Sequence, residues 1–255
     1  MLKVSKSKGV LGALSLLLLV TLAQPANAGK PGSIPTLNGT LCKSLGGTWK
    51  AGKSGLCTIS VSTPNIPSFD IGFGDRILIT STGILNNNNV KTIRNIGTII
   101  LNSGGTLISN GTIDNYGAVD NSGSFTNLGT FTNRSNGIIV NNPNGIIYNN
   151  YQVYNYQNAT IENFGIMNNL NDAGTGNSTV LSNSGVFNNK TGAYVNNSGT
   201  INNEATGTVN NQVNGTINNA GIVRNYGTIF NNCASIWLGP VPDPQEGTYT
   251  PPSNC

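Results

Sequence analysis

The chain contains no histidine, and only 9 of its 255 residues are Asp or Glu, against 13 Lys and Arg. Without histidine the commonest general acid–base group and metal ligand is missing. The acids are sparser still in the middle of the chain. Between residues 92 and 233 they are Asp114, Asp120, Glu162, Asp172 and Glu204, and the bases there are Arg94, Arg134, Lys190 and Arg224. A glycosidase needs two carboxyl groups facing each other across one bond, and no cluster is visible in this set. The Asp-bearing, Gly-rich repeat that binds calcium is also absent. The sequence therefore assigns no catalytic residue, cofactor or metal, and the expected class is non-enzymatic.

The first 28 residues have the three parts of a secretory signal: Lys3, Lys6 and Lys8, an apolar run from Val10 to Ala23, and Ala26-Asn27-Ala28 as a cleavage site. The run is shorter than the ~20 residues a membrane span requires. Its removal takes three of the thirteen basic residues and leaves ten against nine acidic ones. The apparent basicity thus belongs mainly to the signal, and a nucleic-acid partner loses its electrostatic footing. No Cys follows the cleavage site and no hydrophobic tail closes the chain. The expected product is secreted or at the cell surface, with no membrane span once the signal is removed.

Residues 92–233 are one short phrase repeated. Thr112-Ile113-Asp114-Asn115-Tyr116-Gly117 is followed by Ala118-Val119-Asp120-Asn121-Ser122-Gly123 and Ser124-Phe125-Thr126-Asn127-Leu128-Gly129. An eight-residue form, such as Thr200 to Gly207 and Thr208 to Gly215, is interspersed. A repeat this short can only be one strand and one turn of a stack. The second position is nearly always Ile, Val, Phe, Leu or Tyr between small or polar neighbours, the period-two signature of a strand that buries one side chain. Asn-x-Gly then supplies residues suited to left-handed backbone angles at a corner. Three such sides closing a coil of roughly 18 to 24 residues, stacked about 4.8 Å apart, would give six to eight coils. On that geometry Asp114 and Asp120, one phrase apart, fall on successive sides and do not face each other. Asn makes up 35 of the 142 residues in this stretch, enough for amide ladders running up the stack.

This phrase, with its lead-in Ile77-Leu78-Ile79-Thr80-Ser81-Thr82-Gly83-Ile84-Leu85-Asn86, resembles the parallel β-helix (β-solenoid) surface proteins of prokaryotes, including filamentous-haemagglutinin-like and autotransporter passenger domains. The resemblance is one of repeat style over Phe69 to Cys233. It implies an all-β parallel β-helix and leaves activity open.

The remaining segments differ in composition. Residues 29–67 are Pro-containing and hold Cys42 and Cys57, expected to close a disulfide loop covered by Trp49; in an exported chain such a loop contributes about 3 kcal/mol. Residues 68–91 form the solenoid entry, with Asn86 to Asn89 as a loop. Residues 168–178 break the period and predict a bulging loop. Residues 234–255 are Pro-rich, and pairing Cys233 with Cys255 on proximity would fold this tail over the last coil as a cap against edge-to-edge pairing. Tyr148, Tyr151, Tyr154 and Tyr156 either fill a wider core section or present an aromatic strip for glycan contact. Sequons for N-glycosylation occur at Asn38, Asn110, Asn133, Asn158, Asn177, Asn189, Asn196 and Asn214. A ladder would turn several of these inward.

These features together predict a secreted or cell-surface structural and interaction protein: a rigid spacer, adhesin or matrix component. Its partners would be cell-surface or extracellular glycans or proteins, or further copies of itself. Two alternatives compete with it. A glycan-binding or glycan-active β-helix would rely on the tyrosine group. An ice-binding protein would need T-x-T on every coil, and the repeats hold such a triplet only at Thr130-Phe131-Thr132 and Thr206-Gly207-Thr208.

Overall fold

Alternating burial turns every phrase into a four-residue strand. In Thr112–Asn115 the first and third side chains face out while Ile113 and Asn115 are buried, and nearly every later strand repeats this. The computed structural model describes residues 34–63, 66–88, 91–171, 178–244 and 247–253, all within one compact unit, Pro31–Cys255. The expected signal (1–28), most of the expected bulge (residues 172–177) and Cys255 lie outside the described residues.

The strands stack into a parallel β-solenoid with three faces. Face A begins with Leu56–Ile59, face B with Ser62–Thr63 and face C with Phe69–Ile71, and the chain then visits A, B and C in turn. Among the described residues faces B and C are nine strands deep and face A eleven. Face C alone has seven strands between Thr92 and Asn225, within the six to eight coils expected. Among the described residues pairing is parallel except where Thr48–Lys50 runs antiparallel against Leu56–Ile59 and covers the first edge of face A. Asp114 lies on face C and Asp120 on face A, on successive sides as the spacing implied.

Second-position residues form the core. On face C these are Ile93, Ile113, Phe131, Val153, Leu181, Ile201 and Val223, all buried. The faces interlock inside: the Phe125 ring of face B meets Phe131 of face C edge-on, with centroids 5.2 Å apart. Burying each such side chain contributes about 1.5–3 kcal/mol. The stack is therefore held by one thin apolar column.

The fourth position carries a second column, of amides. Asn115 donates from Nδ2 to Asn133 Oδ1 at 2.7 Å, and Asn133 to Asn155 Oδ1 at 2.8 Å. The series continues through Asn183 and Asn203 to Asn225. Face A has an equivalent ladder from Asn121 to Asn231 and face B from Asn127 to Asn219. Below the last coil, each Nδ2 also donates to the backbone carbonyl that opens the next strand one coil further on, as Asn133 does to Thr160 at 3.1 Å. These amides are almost completely buried, so each must be paired. Stacking identical residues satisfies that requirement coil after coil.

Two expectations need correction. The corner glycines of the six-residue phrase were expected to supply left-handed angles, yet Gly117 and Gly129 do not have positive φ. A Cβ at either would come within 2.1 Å of the carbonyl of Gly97 or Gly111 one coil below. They are glycines because consecutive coils approach closely there. Left-handed angles occur instead in the longer turns, at Asn136 (φ 68), Asn158 (φ 64) and Asn214 (φ 57). The Asn86 to Asn89 run is not one loop: Asn86 and Asn87 end the strand Ile84–Asn87, where alternation carries Asn87 into the interior. Asn89 lies outside the described residues.

Candidate functional site: an outer groove at the corner between faces C and A

A side chain directly after a fourth-position Asn sits at a corner, and corner residues align along the stack. After the face C strands these are Tyr116, Arg134, Tyr156, Ser184, Glu204 and Tyr226, each of whose N–H groups bonds to the coil below. The third-position residues of the same strands include Asp114, Tyr154, Ser182 and Arg224. Going up the stack, bulky Tyr154 and Tyr156 give way to Ser182 and Ser184, and then to Asn202 and Glu204. The small serines leave a step. That step is an open groove of about 390 Å³ lined by Tyr154, Tyr156, Ser182, Ser184, Glu204 and Thr206.

The groove combines aromatic and polar side chains, several of which contact one another. The Tyr154 and Tyr156 rings lie 6.5 Å apart at 46°. The Arg134 guanidinium lies over Tyr156, 5.1 Å from its centroid, and is hydrogen-bonded to Asp114 at 2.8 and 2.9 Å. Burial disfavours the Arg134 charge, but Asp114, with Tyr116 and Tyr156 beside it, more than offsets this and holds the group above its ordinary pKa. Ser182 Oγ donates to Glu204 Oε1 at 2.7 Å, and Thr206 Oγ1 to the Ser184 carbonyl at 2.8 Å.

The four tyrosines singled out from the sequence separate. Tyr148 is on face B, Tyr151 at the corner before face C, Tyr154 on face C and Tyr156 at the corner beyond it. None is buried, so they do not widen the core. Only Tyr154 and Tyr156 lie in the groove. The sequence reading missed Arg134, Ser182 and Glu204 as their neighbours, because Arg134 and Glu204 lie far apart in the chain. Aligning the phrases three at a time, one coil per row, would have placed Arg134 and Glu204 in the column of Tyr156 and Ser182 in that of Tyr154.

Other charged side chains lock coils together. Arg94 pairs with Asp70 and Lys190 with Glu162, each across consecutive coils, while Asn142 donates to Asp120. Among the described residues no group of three or more His, Cys, Asp or Glu is arranged to hold a metal ion.

Of the sequons, Asn133 and Asn189 are ladder members, fully buried and with both amide hydrogens donated; the folded chain offers them no room for a glycan. Asn196 is half-buried and bonded to Asn168, and Asn110 is half-buried. Asn38 caps the helix Gly39–Ser44 by accepting from the Leu41 N–H. Asn158 and Asn214 are exposed, and Asn177 lies outside the described residues. Cys42 and Cys57 form the expected disulfide, with Cα atoms 5.6 Å apart, and Trp49 packs beside it against the core. Cys233 is disulfide-bonded, while Cys255 lies outside the described residues. Compared with known proteins, the chain matches no protein-family model and no curated sequence.

Proposed function

We propose that this chain is exported and works outside the cell or at its surface as a structural and interaction protein, a stiff spacer, adhesin or matrix component without catalytic activity. The observation that carries the reading is the set of three amide ladders running in parallel through the stack. Bending or shearing a coil would break a buried amide bond on at least one face, so the ladders make the column rigid. Such a column holds its outer faces at fixed spacing, and those faces, with two outward-facing side-chain rows on each, are the contact surface for extracellular glycans, proteins or further copies. The charged groups support the reading, since the carboxylates of Asp70, Asp114, Asp120, Glu162 and Glu204 are each engaged by a side chain of a neighbouring coil. The N-terminal export signal and the repeat style shared with prokaryotic surface β-helices point the same way.

The test is electron microscopy of the purified, non-reduced mature protein beside its far-UV circular dichroism spectrum. Separate short rods with a β spectrum are expected. Filaments would move the reading to a matrix subunit, and a disordered spectrum would overturn it. In the source cells, deletion that left attachment, aggregation and surface texture unchanged would count against a surface role.

A further inference from the structure

We propose that the groove between Tyr154 and Tyr156 on one side and Glu204 and Thr206 on the other binds a neutral polysaccharide chain by holding one of its pyranose rings. The inference rests on the outer faces being contact surface and names what one of them contacts.

A pyranose ring has an apolar C–H face and a rim of hydroxyls. Tyr156, 45% exposed, and Tyr154 supply aromatic surface at a mutual tilt of 46°, against which the C–H face can lie. Opposite them the Glu204 carboxylate, already accepting from Ser182, is a charged acceptor for sugar hydroxyls, and such bonds are the stronger kind. The serine hydroxyls of the floor can both donate and accept. At about 390 Å³ the groove is at the small end of the roughly 300–1,000 Å³ typical of ligand sites.

The contact rows also argue for a chain over a free sugar. The same corner carries Tyr116 two coils before Tyr156 and Tyr226 three coils after it. With coils ~4.8 Å apart, these rings stand about 10 and 14 Å from Tyr156 along the axis, where further sugar units of a bound chain would pass. The charge at Glu204 selects against uronic acids, because the carboxylate of an acidic sugar would meet another negative group in the groove.

The experiment is affinity electrophoresis of the full mature protein in gels containing neutral polymers (xyloglucan, galactomannan, mixed-linkage β-glucan) or acidic ones (polygalacturonate, alginate). The wild type is compared with Tyr156→Ala, Glu204→Gln and, as a control on face B, Tyr194→Ala. Retardation by at least one neutral polymer is expected, weakened about tenfold in Y156A and severalfold in E204Q, with Y194A behaving as wild type. All three substitutions are outside the core, and a wild-type circular dichroism spectrum confirms that each variant still forms the solenoid. The proposal is overturned if no neutral polymer retards the protein, if only acidic polymers do, or if Y156A and E204Q bind as tightly as wild type. The spectrum separates this failure from failure of the rod itself.

Discussion

The first coils and the later ones solve the same packing problem with different interiors. At the N-terminal end the inner fourth position is apolar: Ile59, Ile79 and Leu101 on face A and Ile71 on face C are all buried. From Asn95 on face C and Asn121 on face A onward, that position is Asn. Backbone pairing is the same in both regions, parallel and in register. The amide is therefore not needed to form a coil. A buried aliphatic group needs only to be covered, whereas a buried amide needs a partner above and below, so Asn becomes favourable only once the neighbouring coil also carries it. The cost shows at the boundary. The Oδ1 atoms of Asn87, Asn95 and Asn127, near the N-terminal ends of their ladders, have no hydrogen-bond donor among the described residues. Asn121 avoids this by accepting from the Gly123 N–H at 3.2 Å. At the other end the last donors find carbonyls, Asn225 that of Thr248 and Asn231 that of Thr250.

The sharpest way to break the comparison is Asn133→Leu. Leucine fits this position elsewhere, as Leu101 shows, but in mid-ladder it removes the shortest bond of the Asn115 amide, leaving it the Gly117 and Ile138 carbonyls, and takes the donor from Asn155 Oδ1. A loss of roughly 2–4 kcal/mol is expected from one buried unpaired acceptor and one lost buried hydrogen bond, read as a lower urea midpoint. A wild-type midpoint would refute the ladder argument. Next in size is reduction of Cys42–Cys57, or Cys42→Ser with Cys57→Ser, which should cost about 3 kcal/mol. Hydrogen exchange should rise in the N-terminal coils first, because each coil is stabilised by its immediate neighbours.

Asn95→Leu sharpens the contrast. At the ladder's edge it only moves the boundary one coil along and leaves one orphaned acceptor as before, so the loss should be about 1 kcal/mol or less. If it equals that of Asn133→Leu, position in the ladder does not matter. Arg134→Ala removes an ion pair at the surface and should cost ~0–1 kcal/mol, a difference that salt screens away. The smallest effect is at the C-terminal end, where Tyr249 packs edge-on against Trp237 at 5.6 Å. Burial pushes its phenol above the usual value. A raised acid pKa favours the fold while neutral, so the contribution is full below the ordinary tyrosine value of 10.0 and is lost as pH rises through the folded value. Alkaline loosening of the last coil, followed by hydrogen exchange, should be reduced in Tyr249→Phe.

How much could be read in advance depended on whether a residue's role was local. The second-position Ile, Val and Phe and the fourth-position Asn were legible because alternation assigns each to the inside whatever lies beyond it. So was the Cys42–Cys57 loop with Trp49 over it. The corner glycines were recognised for the wrong reason, since their constraint comes from a carbonyl one coil away and not from their own φ. Tyr154 and Tyr156 were noticed, but grouped with Tyr148 and Tyr151, because adjacency along the chain is a poor guide where each corner turns the next residue onto another face.

The repeat by itself determined the strand length, the inside and outside of each strand and the existence of amide ladders, since these follow from period two and from the near identity of successive phrases. Only the tertiary structure decided which phrases lie above one another. Insertions of two or more residues at the turns change the length of single coils without changing the number of sides, so vertical neighbours are separated by 18 residues in one place and 28 in another. Ser184 and Glu204 reach Tyr156 only as vertical neighbours, and the groove they line therefore exists only in the stacked chain.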